Sequence, residues 1–255
     1  MQHVTVDARW IHTSGIGTYL TNILPGIVEQ NPNIEFLFLG DTEKLNKLFG
    51  HFENIDFKNF SETMYSVKEQ IKYPQVIPKN TDLYFATHFN IPILSRQKLL
   101  VTFYDLFHLA NPELVQSYLK SSYAYLMFHS IKRRARNIIT ISEFSKNEFK
   151  RLIGIPRCSI HAIPLGVSPC SYQSVRSRPK TLKYSPPYIL YVGNIKPHKN
   201  LRCLIEAYLK IKDSIPHNLV LAGKKDGFLS EDKDIVRLVS AFSDRIFLTG
   251  FVNDN

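Results

Sequence analysis

The chain has 255 residues, of which 44% are hydrophobic and 21% charged, a balance typical of globular domains and not of disordered chains. There are 32 lysines and arginines against 22 aspartates and glutamates, and the net charge of +10 favours anionic partners: phosphorylated small molecules, nucleic acid or anionic lipid. Short apolar runs argue against a transmembrane helix, the first residues lack a signal-peptide pattern, and three scattered cysteines favour reduced thiols, so we predict a cytoplasmic protein.

The first part of the chain alternates short apolar runs with segments whose apolar residues recur at helical spacing, which predicts parallel strands joined by helices. We expect Pro25 to kink or end the first helix early, and we end the third helix before Pro74. Ser142 is expected to cap the last helix of this part. The predicted strands are 4–6, 35–39, 56–60, 82–85, 98–103, 138–141 and 159–163, and the predicted helices are 14–28, 42–49, 66–72, 112–136 and 143–153.

A change in composition divides the chain. Prolines, serines and lysines interrupt any periodic pattern between Ser168 and Pro187, which is typical of an interdomain linker. Beyond it we predict a strand at 189–192, buried on both faces of a parallel sheet. The other elements predicted there are strands at 219–222 and 245–248 and helices at 201–209 and 233–242. We therefore expect one domain at 1–167, a linker at 168–187, and a second, incomplete domain at 188–255.

Four polar side chains follow two of the predicted strands: His88 comes after the strand at 82–85, and Tyr104, Asp105 and His108 come after the strand at 98–103. Open α/β sheets bind ligands at the carboxyl ends of their strands. Taken singly, each residue is more often a loop histidine or a capping aspartate. Together they favour a site at this edge.

A second candidate site lies where the strand at 189–192 is followed by a helix. The connecting loop contains Lys196, His198 and Lys199, and cations beside the free N–H groups of a helix N-terminus suit an anion such as phosphate. The alternative is an ordinary loop with solvated lysines. Gly15 and Gly17 would likewise let the backbone approach a ligand, but the segment lacks the third glycine of a dinucleotide fingerprint, so we do not predict NAD binding.

A basic cluster is formed by Lys132, Arg133, Arg134 and Arg136 at the end of the predicted helix 112–136. Cations in a last helical turn are favoured by the helix dipole, which explains the cluster without any partner. The same helix also has several aromatic residues, and basic charge beside aromatics suits the surface of an anionic membrane. We therefore expect peripheral contact with the inner face of the membrane.

Seven motifs, in order along nearly the whole chain, resemble those of the family 4 glycosyltransferases of the GT-B fold, and in particular the bacterial mannosyltransferases of O-antigen and polysaccharide assembly. The last of them is the most specific. The motifs are Asp7-Ala-Arg9, Ser14-Gly-Ile-Gly-Thr-Tyr19, His88-Phe-Asn-Ile-Pro92, Val101-Thr-Phe-Tyr-Asp-Leu106 with His108, Ile141-Ser-Glu-Phe-Ser145, Ile163-Pro-Leu-Gly-Val167 and Tyr191-Val-Gly-Asn-Ile-Lys-Pro-His-Lys-Asn200.

The resemblance implies a GT-B type α/β fold of two Rossmann-like parallel-sheet domains, the first binding the acceptor and the second a nucleotide-diphospho-sugar. It implies transfer of a hexose, with mannose favoured, to a polysaccharide or lipid-linked acceptor as in lipopolysaccharide biosynthesis, with retained anomeric configuration and with neither metal nor cofactor. By this resemblance, the positions of the family's site residues are occupied by His88, Tyr104 and Asp105 for catalysis and by Gly15, Ile16, Gly17, Asn194 and Lys199 for the donor.

The chain departs from the family pattern at three places. Tyr104 replaces a histidine found in many members, Asn194 replaces an arginine, and the chain ends before the family's second acidic motif. From the last difference we expect a truncated donor site and little or no activity of this chain alone. A non-catalytic remnant or acceptor-binding protein is the alternative. A basic nucleic-acid-binding protein ranks last, because no RNA-binding signature is present, and no nucleic-acid partner is expected.

Overall fold

The computed structural model describes residues 2–12, 14–115, 117–167, 187–193, 199–223, 237, 239–250 and 252. They belong to two compact units, Met1–Ser171 and Tyr172–Asn255, which we describe separately. The predicted linker at 168–187 lies, apart from Pro187, outside the described residues, so the predicted domain bounds stay a prediction. No helix of the described ranges is long and apolar enough to cross a bilayer.

The first unit alternates strands and helices as the sequence predicts. A short 3-10 helix, Arg9–His12, separates its first strand from its first α-helix. The strands are β1 (Gln2–Asp7), β2 (Ile34–Gly40), β3 (Ile55–Asn59), β4 (Leu83–Ala86), β5 (Lys98–Phe103), β6 (Ala135–Thr140) and β7 (Ile160–Ala162). The helices are α1 (Ser14–Glu29), α2 (Thr42–Phe49), α3 (Val67–Val76), α4 (Phe107–Ala110), α5 (Pro112–Val115), α6 (Tyr118–Arg134) and α7 (Glu143–Leu152).

The seven strands form one parallel sheet in the order β3-β2-β1-β4-β5-β6-β7. Alternate residues of the central strands pack on opposite faces, and both faces are covered. Phe38 packs with buried residues of α1 and α2, whereas Val101 packs with buried residues of α6 and α7. Since β1, β4 and β5 are neighbours and parallel, the loops that follow them meet at one edge of the sheet.

Two helices continue through prolines at which the sequence predicted an early end. Helix α1 runs through Pro25 to Glu29, and α3 runs through Pro74 to Val76. The expected early ends were therefore wrong, while a kink of α1 at Pro25 stays a prediction. Each helix has buried core residues close to its proline, such as Leu24 before Pro25 and Tyr73 before Pro74, so tertiary packing offsets the lost backbone hydrogen bond.

The predicted helix 112–136 is instead two helices and the start of a strand. Helix α5 ends at Val115, and α6 begins after Ser117, whose side chain accepts a hydrogen bond from the backbone N–H of Lys120 at 3.4 Å. The chain enters β6 at Ala135, which is buried and pairs with Leu99. Arg136 therefore lies on a strand. In contrast, Ser142 caps α7 as predicted.

Two cations of the basic cluster hold the fold together. Lys132 donates to the carbonyl of Ile153 at 2.8 Å, and Arg134 donates to the carbonyls of Pro92 and Ile93 at 2.9 and 2.7 Å. Burial lowers the pKa of Arg134. Arg133 and the strand residue Arg136 remain exposed, so these are the two side chains of the cluster that could make the expected membrane contact. Flotation with anionic vesicles would test that contact.

The second unit contains a three-stranded parallel sheet in the order β10-β9-β8. Its elements are β8 (Tyr188–Val192), α8 (Leu201–Ile211), β9 (Asn218–Ala222) and β10 (Ile246–Gly250). The central strand is β9, with Leu219 and Leu221 fully buried. Within the described residues, the prediction that 189–192 is buried on both faces was wrong, since β8 lies at one end of this three-stranded sheet and Leu190 and Val192 are 53% and 73% exposed. Most of the predicted helix 233–242 lies outside the described residues, although 239–241 are helical.

Candidate functional site

The candidate site of the first unit lies where β1, β4 and β5 end. Hydrogen bonds connect the three loops. The hydroxyl of Thr87, after β4, donates to the carbonyl of Asp7, at the end of β1, at 2.6 Å. The hydroxyl of Tyr104, after β5, donates to the carbonyl of Thr87 at 3.2 Å. The placement of His88, Tyr104 and Asp105 at one sheet edge, predicted from the strand pattern, is therefore confirmed, while their catalytic roles stay predictions.

His88 is a buried neutral imidazole. It is 9% exposed, and its ring stacks on that of Trp10, with centroids 4.2 Å apart and planes at 27°. Burial lowers its pKa to about 3, against the raising effect of Asp7 and with smaller lowering effects of His108 and Arg9. Because the ring is uncharged near neutral pH, it can donate or accept a hydrogen bond but provides no fixed positive charge.

Tyr104 and Asp105 have different surroundings. Burial raises the pKa of Tyr104, and its ring packs edge-on against Tyr19, so its hydroxyl stays protonated. The carboxylate of Asp105 is exposed, and one of its oxygens accepts the backbone N–H of Phe107 at 3.0 Å. That bond is a local contact with the residue two positions on, and Asp105 is not the cap of α4, which begins after Leu106.

Behind this edge lies a buried ionic group that sequence reasoning missed. The guanidinium of Arg9 donates to both carboxylate oxygens of Asp7 at 2.8 and 2.6 Å, and its other terminal nitrogen lies 2.6 Å from Glu69. The same guanidinium lies over the ring of Phe60 at 4.2 Å. Burial by itself would raise the pKa of Asp7, but the charge and hydrogen bonds of Arg9 outweigh it and the pKa is lowered. The carboxyl of Asp7 is therefore ionised.

Glu69 connects three segments although it is fully buried. Besides Arg9, its carboxylate accepts the backbone N–H of Tyr65 at 2.8 Å and the side-chain amide of Asn90 at 2.8 Å. Tyr65 has a φ of 65°, a strained value for a non-glycine residue that persists only where neighbours hold it. The Asp7-Ala-Arg9 motif at a strand end was a signal for this group, but a glutamate in a helical pattern normally faces water.

The glycine segment lies at the start of α1. Gly15 is exposed with open space where a Cβ would be, and Ile16 is half-buried. Gly17 is buried, and a Cβ there would lie 2.4 Å from the carbonyl oxygen of Ile11. Gly17 therefore lets α1 pack closely against the backbone of the preceding 3-10 helix, whereas of the two glycines only Gly15 leaves room for a ligand.

The predicted donor residues of the second unit are only partly described. Lys199 is exposed and lies just before α8. Asn200, the residue that precedes the helix, has a left-handed φ of 49°. Asn194, with Lys196 and His198, lies outside the described residues. Lys199 belongs to the second unit and Gly15, Ile16 and Gly17 to the first, so their predicted joint role in the donor site stays a prediction.

Two cavities open beside the loops of the candidate site. One has a volume of about 390 Å³ and is bordered by Asp105, Phe144 and Ser145. The other is larger, about 710 Å³, and mostly aromatic and aliphatic, within the range of ligand sites. The larger cavity is lined by Met64, Tyr65, Val67, Phe89, His108, Leu119, Lys120 and Tyr123.

Comparison with known proteins gives one relative and a common fold. No family model matches the sequence. O-antigen chain mannosyltransferase B of Escherichia coli is 28% identical in a 157-residue alignment that covers 55% of this chain and 38% of that relative. The aligned part thus spans well under half the relative's length.

Solved structures match over the whole chain at low identity. HepE from Anabaena, crystallised with UDP, has a TM-score of 0.61 at 15% identity, covering 100% of this chain and 70% of its own. A glycosyltransferase from Rickettsia africae has a TM-score of 0.62 at 15% identity, and the match covers 99% of this chain and 69% of that protein. The lipopolysaccharide outer core galactosyltransferase WaaB has a TM-score of 0.56 at 15% identity, and the match covers 99% of this chain and 69% of WaaB.

These neighbours define the class of fold. A parallel seven-stranded sheet with a second, smaller parallel sheet is the α/β architecture of the GT-B glycosyltransferases, so the predicted fold class is confirmed. The sequence is glycosyltransferase-like, with an O-antigen mannosyltransferase among its relatives.

The low pKa of His88 predicts a pH dependence of folding. In the unfolded chain His88 binds a proton below its ordinary pKa of 6.5, whereas in the folded chain it does so only near pH 3. The free energy of unfolding therefore falls as the pH is lowered. This group alone should remove about 2 kcal/mol of unfolding free energy between pH 7 and pH 5. Urea unfolding at both pH values tests this. The loss of unfolding free energy between pH 7 and pH 5 should be about 2 kcal/mol smaller in His88→Gln than in the native protein. It should be unchanged in the control His51→Gln, since His51 is exposed. An unchanged slope in His88→Gln would contradict the buried neutral imidazole.

Proposed function

We propose that the chain is a family 4 glycosyltransferase that moves a hexose, with mannose favoured, from a nucleotide-diphospho-sugar to a polysaccharide or lipid-linked acceptor with retained configuration. The observation that carries this proposal is the 28% identity to an O-antigen mannosyltransferase over 157 residues. The GT-B fold and the polar side chains at the carboxyl edge of the first sheet support it.

The proposed chemistry needs charge stabilisation at two places. Negative charge develops on the departing nucleoside diphosphate, and we assign its stabilisation to Lys199 and to the backbone N–H groups at the start of α1, around Gly15, Ile16 and Gly17. Asn194 is a further candidate for the donor. In this scheme no metal ion and no cofactor take part.

Positive charge develops at the anomeric carbon as the sugar departs, and we assign its stabilisation to the exposed carboxylate of Asp105. The neutral imidazole of His88 can donate a hydrogen bond to a hydroxyl of the sugar, and the hydroxyl of Tyr104, whose own proton goes to the carbonyl of Thr87, can accept one from such a hydroxyl. We assign the acceptor to the 710 Å³ cavity, because its wall residue Phe89 directly follows His88 and its aromatic faces suit the apolar faces of sugar rings.

Calorimetry with GDP, UDP and ADP tests the donor site first. We expect binding of one of them, weakened about 10- to 100-fold in Lys199→Ala, since a charge-assisted bond contributes roughly 1.5–3 kcal/mol. Lys210→Ala is the matched control, because Lys210 is also exposed and lies at the other end of α8. Failure of all three nucleotides to bind, or equal affinities of the two variants, would contradict the proposed donor site.

Transfer is then measured with radiolabelled GDP-mannose and UDP-glucose and membrane lipid extract as acceptor. Turnover that Lys199→Ala or His88→Ala lowers about a hundredfold or more would support the proposed enzyme. It would also overturn the expectation that this chain alone is inactive. Nucleotide binding without turnover would leave the non-catalytic binding protein as the better account.

A further inference from the structure

A series of buried hydrogen bonds connects His88 with the interior of the first unit. The backbone N–H of Asn90 donates to Nδ1 of His88 at 3.4 Å. An N–H group can donate only to an unprotonated ring nitrogen, so this contact requires the lone pair of Nδ1 to be free. A neutral imidazole that accepts at Nδ1 bears its proton on Nε2.

The side chain of Asn90 is held at both ends. Its amide nitrogen donates to Oε1 of Glu69 at 2.8 Å, and its amide oxygen accepts a short hydrogen bond from the hydroxyl of Tyr123. Since a carboxylate only accepts, the amide nitrogen must face Glu69 and the amide oxygen must face Tyr123, which defines the orientation of the amide. Asn90 is 1% exposed, so water does not compete for these bonds.

Glu69 is itself fixed, because it accepts from the backbone of Tyr65 at 2.8 Å and lies 2.6 Å from the guanidinium of Arg9. The imidazole is also held between rings, with Trp10 and Phe89 at centroid distances of 4.2 Å each. Among the described residues, none forms a hydrogen bond with Nε2 of His88. The ring is therefore restrained on its faces and at Nδ1, while Nε2 is left for another partner.

We propose that Asn90 and Tyr123 are positioning residues that hold His88 as the Nε2–H tautomer, so that His88 acts as a hydrogen-bond donor to the substrate and not as a base. This inference rests on the proposed function for the identity of the substrate. The tautomer itself does not depend on that function.

Nuclear magnetic resonance of protein labelled with ¹⁵N-histidine tests the tautomer directly. The chain has nine histidines, and the signals missing in His88→Gln identify His88. In the native protein at pH 7 we expect Nε2 protonated and Nδ1 not. In Tyr123→Phe, which keeps the ring but removes the donor to Asn90, the share of the Nδ1–H tautomer should rise roughly two- to tenfold, the effect of losing one hydrogen bond.

The matched control is Tyr125→Phe on the same helix, whose ring contacts His129 and not His88, and it should leave the His88 signals unchanged. Asn90→Ala should shift the tautomer ratio further than Tyr123→Phe. A native His88 protonated at Nδ1 would overturn the proposal. So would a ratio that stays unchanged in both variants while their folds remain intact.

Kinetics separate this inference from the proposed function. If transfer is observed, Tyr123→Phe should lower kcat about tenfold with little change in KM for the donor, because the donated bond matters most in the transition state. An unchanged kcat beside a shifted tautomer would overturn the donor role of His88. Absence of both transfer and nucleotide binding in the native protein, with the tautomer responding as expected, would overturn the proposed function and leave the positioning role supported.

Discussion

Replacing Arg9 by methionine is expected to lower the unfolding free energy of the first unit by about 3–5 kcal/mol, the usual effect of removing one partner from a buried ionic group. Asp7 and Glu69 are 1% and 0% exposed, and both would lose the cation that lies 2.6 Å from each of them. Two carboxylates without a counter-ion would remain in a region from which water is excluded.

Urea unfolding at pH 7 measures this loss. The control is Arg151→Met, since Arg151 pairs with Glu148 on the exposed surface of α7, where an ion pair contributes little. Adding Glu69→Gln to Arg9→Met should recover part of the loss, because one of the two unpaired charges is removed. A midpoint for Arg9→Met that matches Arg151→Met would show that the buried group is not needed for stability.

Gly17→Ala should destabilise the first unit by about 1–3 kcal/mol, the range for forcing an atom into a packed site. The added Cβ would meet the carbonyl oxygen of Ile11 at 2.4 Å and that of Trp10 at 3.2 Å. Both contacts are with backbone, so either α1 or the 3-10 helix must move. Because Trp10 stacks on His88, the movement should also reach the candidate site.

The matched variant is Gly15→Ala, two residues earlier on the same helix, where a Cβ would have nothing within 4 Å. It should leave stability unchanged or raise it slightly, since alanine favours helix over glycine. Thermal unfolding and the fluorescence of Trp10, the single tryptophan of the chain, compare the two variants. Equal melting temperatures would contradict the steric account of Gly17.

Local sequence patterns determined most of the element order and the position of the candidate site. Buried strands such as β5 were predicted with their observed bounds, because an apolar run at the centre of a parallel sheet needs no information beyond its own residues. The carboxyl ends of neighbouring strands meet at one edge, and this rule was enough to place His88 beside Tyr104.

Tertiary packing determined the features that local sequence rules predicted wrongly. Helix α1 continues through Pro25 and α3 through Pro74, since core contacts on each helix offset a lost hydrogen bond. The strand β8 has the apolar composition of a central strand, but it lies at one end of the sheet that the described residues form, because strand order depends on packing across the unit.

The environment of His88 was decided by tertiary structure alone. Glu69, Asn90 and Tyr123 are separated by 21 and 33 residues, so no periodic pattern relates them, and a glutamate and an asparagine read singly are expected to face water. They form a buried network only because helix α3, the loop after β4 and helix α6 converge at one sheet edge, where each polar group satisfies the others. The sequence by itself placed His88 at the carboxyl edge of the sheet, and the fold determined its burial and its neighbours.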